Sequence, residues 1–236
     1  MAFTTSRRAA AGVAFSLAAL ATAASSPARA TTASETIVDG MTGARFVERP
    51  VVGGTAFRCL GVGSRKAFIF KLYSVAFCLE SSAADRVLDD VLASHGSEKG
   101  KDLAQSLRRD ERLFEELASA PGDKMIVLRF ARGASRGQLE GALRGALEKI
   151  IPPSDVARVV GAAACPDGVR EGDVALLRSK GSDFVVELGP VQRVLSGAET
   201  INERLWSIWL GPQSATSNLK ESIADRLARL RDATAP

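Results

Sequence analysis

The chain has 236 residues, 46% of them hydrophobic and 25% charged, an ordinary globular composition that is long enough for one large domain or at most two. Disordered and collagen-like chains are excluded. The 31 Lys and Arg against 27 Asp and Glu give a net charge of +4, so a polyanionic partner depends on where those charges sit.

The first thirty residues, MAFTTSRRAAAGVAFSLAALATAASSPARA, run from Arg7-Arg8 through an uncharged Ala-rich stretch to Ala28-Arg29-Ala30. A positive start, an apolar middle and a small-residue A-x-A end are the parts of a secretory signal. The sequence therefore predicts a cleaved signal peptide over residues 1–30 and one domain over 31–236. Export to the periplasm or beyond is expected, by the general secretory or the twin-arginine route. The Ala-rich run is too short and too weakly apolar to leave a stable membrane span after cleavage. Residues 1–30 hold three of the arginines and no acid, so the remainder carries 28 basic and 27 acidic residues. The basic excess belongs to the signal, and a nucleic-acid partner is not expected.

In the remainder, Thr36-Ile37-Val38 and Ala44-Arg45-Phe46-Val47 read as two short strands joined by an Asp39-Gly40 turn. The densest apolar stretch, TAFRCLGVGSRKAFIFKLYSVAFCLE, reads as a long strand pair turning near Ser64 to Ala67, with Gly61 and Gly63 easing the bend. Ala83-Ala84, Val87-Leu88 and Val91-Leu92 recur at helical spacing up to His95-Gly96. One or two further helices over Leu103 to Leu117 precede the Pro121-Gly122-Asp123 turn. Met125 to Phe130 is a predicted strand. Leu139, Leu143, Leu147 and Ile150-Ile151 form one face of a helix that stops at Pro152-Pro153, and a short helix follows over Val156 to Ala163. After Cys165 come three short strands, then two helices over Ala198 to Leu210 and Ser217 to Leu230. Hairpins interrupted by blocks of helix predict a single-domain α+β fold with a largely antiparallel sheet.

Several familiar constellations fail. Gly61-x-Gly63 has Lys66 where a dinucleotide fingerprint needs glycine, and a strand follows instead of a helix N-terminus. His95, the one histidine, sits at a predicted helix end, where an imidazole complements the dipole. Cys59, Cys78 and Cys165 are 19 and 87 residues apart with no CxxC, so no metal site is expected, no cofactor is implied, and at most one disulfide can form between any two of them. Arg108, Arg109 and Arg112 alternate with acids as on a solvated helix face. Trp206 and Trp209 read as the buried face of their helix.

Two polar groups stand out in the apolar strand pair: Arg65 and Tyr73, the single tyrosine. The stretch Gly61-Val62-Gly63-Ser64-Arg65-Lys66, with Lys71-Leu72-Tyr73 and Cys78-Leu79-Glu80, resembles the G-x-G-x-R…K-x-Y-x-x-x-x-Y-L-E signature of chalcone isomerase-like proteins. Met125 to Phe130 with its following helix, and Ser207-Ile208-Trp209-Leu210-Gly211-Pro212 with Leu219-Lys220, are similar to later parts of that family in matching order. The resemblance implies an antiparallel sheet curved around a layer of helices, an open-faced β-sandwich with a ligand cleft between sheet and helices. In the plant enzymes a sheet arginine holds an oxygen anion while a chalcone closes into a flavanone. That arginine falls at Arg65, their strand threonine at Tyr73, their helix-borne tyrosine near Ser135 and their helix asparagine near Ala142.

The catalytic set is thus incomplete. Non-catalytic members resemble fatty-acid-binding proteins, whose arginine pairs with a ligand carboxylate. The resemblance accordingly implies a small amphiphilic or phenolic ligand held by Arg65, Tyr73 and Ser135. An intramolecular lyase acting on a chalcone-like enone is the alternative, and a structural or interaction module without ligand the third.

Overall fold

The computed structural model describes residues 35–67, 70–96, 98–214 and 216–234. The predicted signal peptide lies outside them. In chain order the elements are β1 (Thr36–Val38), β2 (Arg45–Val47), β3 (Val51–Val52), β4 (Thr55–Ala67), β5 (Phe70–Glu80), α1 (Ser81–Ser94), α2 (Gly100–Arg109), α3 (Glu111–Ser119) and β6 (Lys124–Phe130). They continue with α4 (Arg136–Leu147), α5 (Pro153–Ala162), β7 (Val174–Lys180), β8 (Asp183–Leu188), β9 (Val191–Leu195), α6 (Glu199–Arg204), α7 (Ser207–Leu210) and α8 (Ser217–Thr234).

Strands β3 to β9 form one sheet in sequence order, and every neighbouring pair is antiparallel. The sheet is two-faced, as a half-covered antiparallel meander must be. On β5, Tyr73, Val75, Phe77 and Leu79 turn toward the helices, and the latter three are fully buried in the main core with Leu103, Phe114, Trp206 and Ile223. Ala76 and Cys78 turn the other way, where the β1–β2 hairpin covers them through Ile37 and Phe46.

Four local expectations differ from the structure. β4 runs to Ala67, so the chain reverses just after the expected Ser64 to Ala67 turn, and the predicted Asp39-Gly40 turn is a longer loop from Asp39 to Ala44 with Gly43 in the left-handed region. The predicted helix over Ala198 to Leu210 is two short helices, α6 and α7. Gly61 and Gly63 serve contact rather than bending. A Cβ on Gly61 would lie 2.8 Å from the backbone N of Ile223, and one on Gly63 2.8 Å from that of Leu219, so the glycines let α8 lie directly on β4. From that position Ser222 Oγ accepts a hydrogen bond from Val62 N (3.0 Å) and Asn218 Oδ1 one from Ser64 N (3.1 Å). These backbone donors belong to the edge of β4 that no strand covers, so α8 satisfies and hides it.

Of the pairings the sequence left open, the structure has Cys59–Cys78, directly opposite one another on β4 and β5 and both fully buried. Closing a loop of 19 residues stabilises the fold by about 3 kcal/mol on chain-entropy grounds. Cys165 is free, and its thiol donates to the Gly168 carbonyl.

Behind the sheet, Asp39 is 2% exposed. Burial works against its charge, but the Thr42 hydroxyl, the Met41 N–H and the Ser74 and Ser64 hydroxyls outweigh that and hold its carboxyl below the ordinary 3.8. A carboxylate favoured in the folded state contributes stability that is complete above 3.8 and is lost as pH falls through its lower folded value. Asp39→Asn should therefore be less stable than the parent at neutral pH, by about 2 kcal/mol. The gap should narrow in urea titrations near pH 3, and a gap of equal size at both pH values would refute this account.

Candidate functional site

One space stands out between the helix-facing side of the sheet and helices α4, α5 and α7, with a volume of about 490 Å³. That is within the usual range for small-molecule sites. Strand register locates it. Arg65 pairs with Tyr73 and Tyr73 with Phe130, giving one row across β4, β5 and β6. Two residues further along β6, Leu128 pairs with Ala175 and Ala175 with Leu188. The next row holds Leu177 and Val186.

The cavity touches Arg65, Tyr73 and Phe130 in the first row, Leu128, Ala175 and Leu188 in the second, and Leu177 and Val186 in the third. It therefore runs obliquely across the sheet, for on the order of 20 Å at strand and residue spacings of about 4.8 and 3.3 Å. Exposure falls along this path. Arg132, Gly133 and Gln138 at the first-row end are exposed, whereas Leu177 and Val186 in the third row are buried, as is Val160 of α5. The space is a slot with an open polar end and a closed apolar end.

Arg65 and Tyr73 are both half-buried and both line the slot. Among the described residues, the Arg65 guanidinium makes no hydrogen bond or ion pair, and the Tyr73 hydroxyl makes no hydrogen bond. The Tyr73 ring is fixed by an edge-to-face contact with Phe130, centroids 6.4 Å apart. A planar fork of donors and a phenol at the mouth of an apolar slot can hold a carboxylate or another oxyanion, while the slot takes the hydrocarbon part.

Ser135 has a different occupation. It is exposed, its Oγ accepts from Gln138 N, and its own N–H is bonded by the Gln138 side chain at 2.9 Å, a complete capping box at the start of α4. Its neighbours Ala134 and Gln138 line the slot, as does Ala142. Pattern reading also passed over Arg132 and the cavity role of Trp209. Arg132 follows Phe130 by two residues, so strand parity signals that it reaches the same side. Nothing in the sequence distinguishes a tryptophan that walls a cavity from one that only fills a core, and Trp209 is 3% exposed while Trp206 is fully buried.

Among the described residues no cluster of His, Cys, Asp or Glu could hold a metal ion, and no helix is long and apolar enough to cross a membrane.

No protein-family model matches the sequence, and no curated protein matches it. Among solved structures, the crystal structure of the Arabidopsis thaliana fatty-acid binding protein AtFAP1 superimposes with a TM-score of 0.60 at 18% identity, covering 83% of this chain and 98% of that one. The curled antiparallel sheet with its helices on one side is the chalcone isomerase-like α+β fold.

Proposed function

We propose that this chain is an exported, non-catalytic member of the chalcone isomerase-like proteins that binds a small amphiphilic anion, foremost a long-chain fatty acid. The observation that carries the reading is the arrangement of the slot: Arg65, without a partner among the described residues, beside Tyr73 at the open end, and an apolar passage closed by Val160, Leu177 and Val186. An elongated slot favours a single chain over the compact fused rings of a flavonoid. The structural likeness to a protein described as a fatty-acid binding protein supports the same class. The buried Cys59–Cys78 bridge supports export, because such disulfides persist where thiols are not kept reduced.

Cyclisation of an enone finds less support. Besides Arg65 and Tyr73 it would need polar groups from α4, where Ser135 is engaged as a cap and Ala142 is apolar wall. The test is thermal unfolding of the purified protein with saturated carboxylic acids of graded length and with flavonoids. A ligand at about 100 times its dissociation constant adds roughly 2.7 kcal/mol, or about 5–10 °C for a domain of this size. Absence of any shift across both series would refute binding, and loss of chalcone absorbance above the spontaneous rate would restore the enzyme reading.

A further inference from the structure

Helix α4 crosses the slot as a strap fixed at both ends. At its start Ala134 and Val169 exchange two backbone hydrogen bonds of 2.9 Å each, and Ser135 and Gln138 cap it reciprocally. At its end Leu147 is fully buried. Between these anchors no side chain is buried: Leu139, Leu143 and Ala146 face the slot and remain half-exposed because the cavity lies beneath them. The helix packs mainly on α5, not on the sheet.

The same segment carries Gly137, Gly141 and Gly145, four residues apart and therefore on one stripe. A Cβ at any of them would meet nothing within 4 Å. None has the left-handed backbone that would call for glycine. Unlike Gly61 and Gly63, these three glycines serve no close approach among the described residues. Their remaining physical effect is on the helix: each glycine in place of alanine shifts a helix toward its open form by about fourfold to fivefold, so three together shift it by about 100-fold. A weak helix held firmly at both ends opens in its middle, over the cavity.

We propose that α4 between Gly137 and Ala146 is a lid whose local unfolding admits and releases the ligand of the slot. This rests on the binding reading above, and it adds the route and the rate. If entry and exit both pass through the open lid, strengthening the helix slows both equally and leaves the affinity unchanged.

The test uses the full chain, a fluorescent long-chain fatty acid followed by stopped flow, and native-state amide exchange. In the triple variant Gly137→Ala, Gly141→Ala, Gly145→Ala, exchange within α4 is expected to slow by about 100-fold with little change elsewhere, and the association and dissociation rate constants are expected to fall together by a similar factor. Arg144→Gly, an exposed position on the outer side of α4, should speed both by about threefold to fivefold. Slower exchange with unchanged ligand kinetics would overturn the lid, and so would a fall in dissociation alone, which would make α4 a wall. A change in sedimentation mass with unchanged exchange would make the glycine stripe a contact surface instead. If the fatty acid does not bind at all, the binding reading fails. The lid is then judged on exchange alone, and α4 amides as protected as those of α5 would overturn it.

Discussion

Arg65→Ala is expected to weaken binding of a long-chain carboxylate by about 30- to 150-fold while leaving the free protein almost as stable as before. The two halves of this expectation have one cause. Without ligand, Arg65 makes no hydrogen bond or ion pair among the described residues, so its removal breaks nothing in the fold and should cost within about 0.5 kcal/mol. With ligand, the guanidinium supplies a charge-assisted fork in a partly desolvated mouth, worth about 2–3 kcal/mol.

Arg65→Lys keeps the charge but not the planar fork, and should lie between, at a loss of roughly tenfold. Tyr73→Phe removes one hydrogen bond from a hydroxyl to the carboxylate and should cost about tenfold. Isothermal titration on the four proteins decides the matter. An Arg65→Ala protein that binds as tightly as the parent would place the head group elsewhere and leave the slot without a polar anchor.

Gly63→Ala is expected to damage the fold severely. The added carbon would lie 2.8 Å from both the backbone N and the Cβ of Leu219 and 2.9 Å from its Cα, and backbone cannot give way as a flexible side chain can. α8 must move off β4. That loosens the buried Leu219, Ile223 and Leu227 from the core and stretches the bonds from Val62 N to Ser222 and from Ser64 N to Asn218. Overpacking of about 1–3 kcal/mol and about 1 kcal/mol for each strained bond give a loss of about 3–5 kcal/mol, or roughly 10 °C in melting temperature. Gly145→Ala makes the contrasting control, since a Cβ there meets open space. Equal effects of the two substitutions on the melting temperature would show that the contact between α8 and β4 is not what requires glycine.

Much of the architecture was legible because periodicity survives folding. The dense apolar stretch from Thr55 to Glu80, the helical recurrence from Ala83 to Leu92 and the stop at Pro152-Pro153 all correspond to elements that the structure contains. Turn positions were less legible. The role of Gly61 and Gly63 was also hidden, because glycine can mean a bend or a neighbour in close contact, and only the presence of α8, more than 150 residues later in the chain, tells them apart. The disulfide was open for a related reason: three cysteines permit three pairings, and register alone sets Cys59 opposite Cys78.

By itself, then, the sequence determined the α+β class, the order of strands and helices, and the two polar residues worth attention in an apolar hairpin. It could not determine which way Arg65 faces. Strict alternation along β4 would put Arg65 on the same face as Phe57 and Cys59, behind the sheet with the disulfide and the β1–β2 hairpin. The register shift between Cys59 and Gly61 inserts one residue, Leu60, and exchanges the faces for the rest of the strand. Beyond it Gly61 and Gly63 meet α8, and Arg65 turns into the slot beside Tyr73. One extra residue in a strand inverts every later side chain, and whether a strand carries that extra residue is settled by pairing with its neighbour, which no single segment encodes.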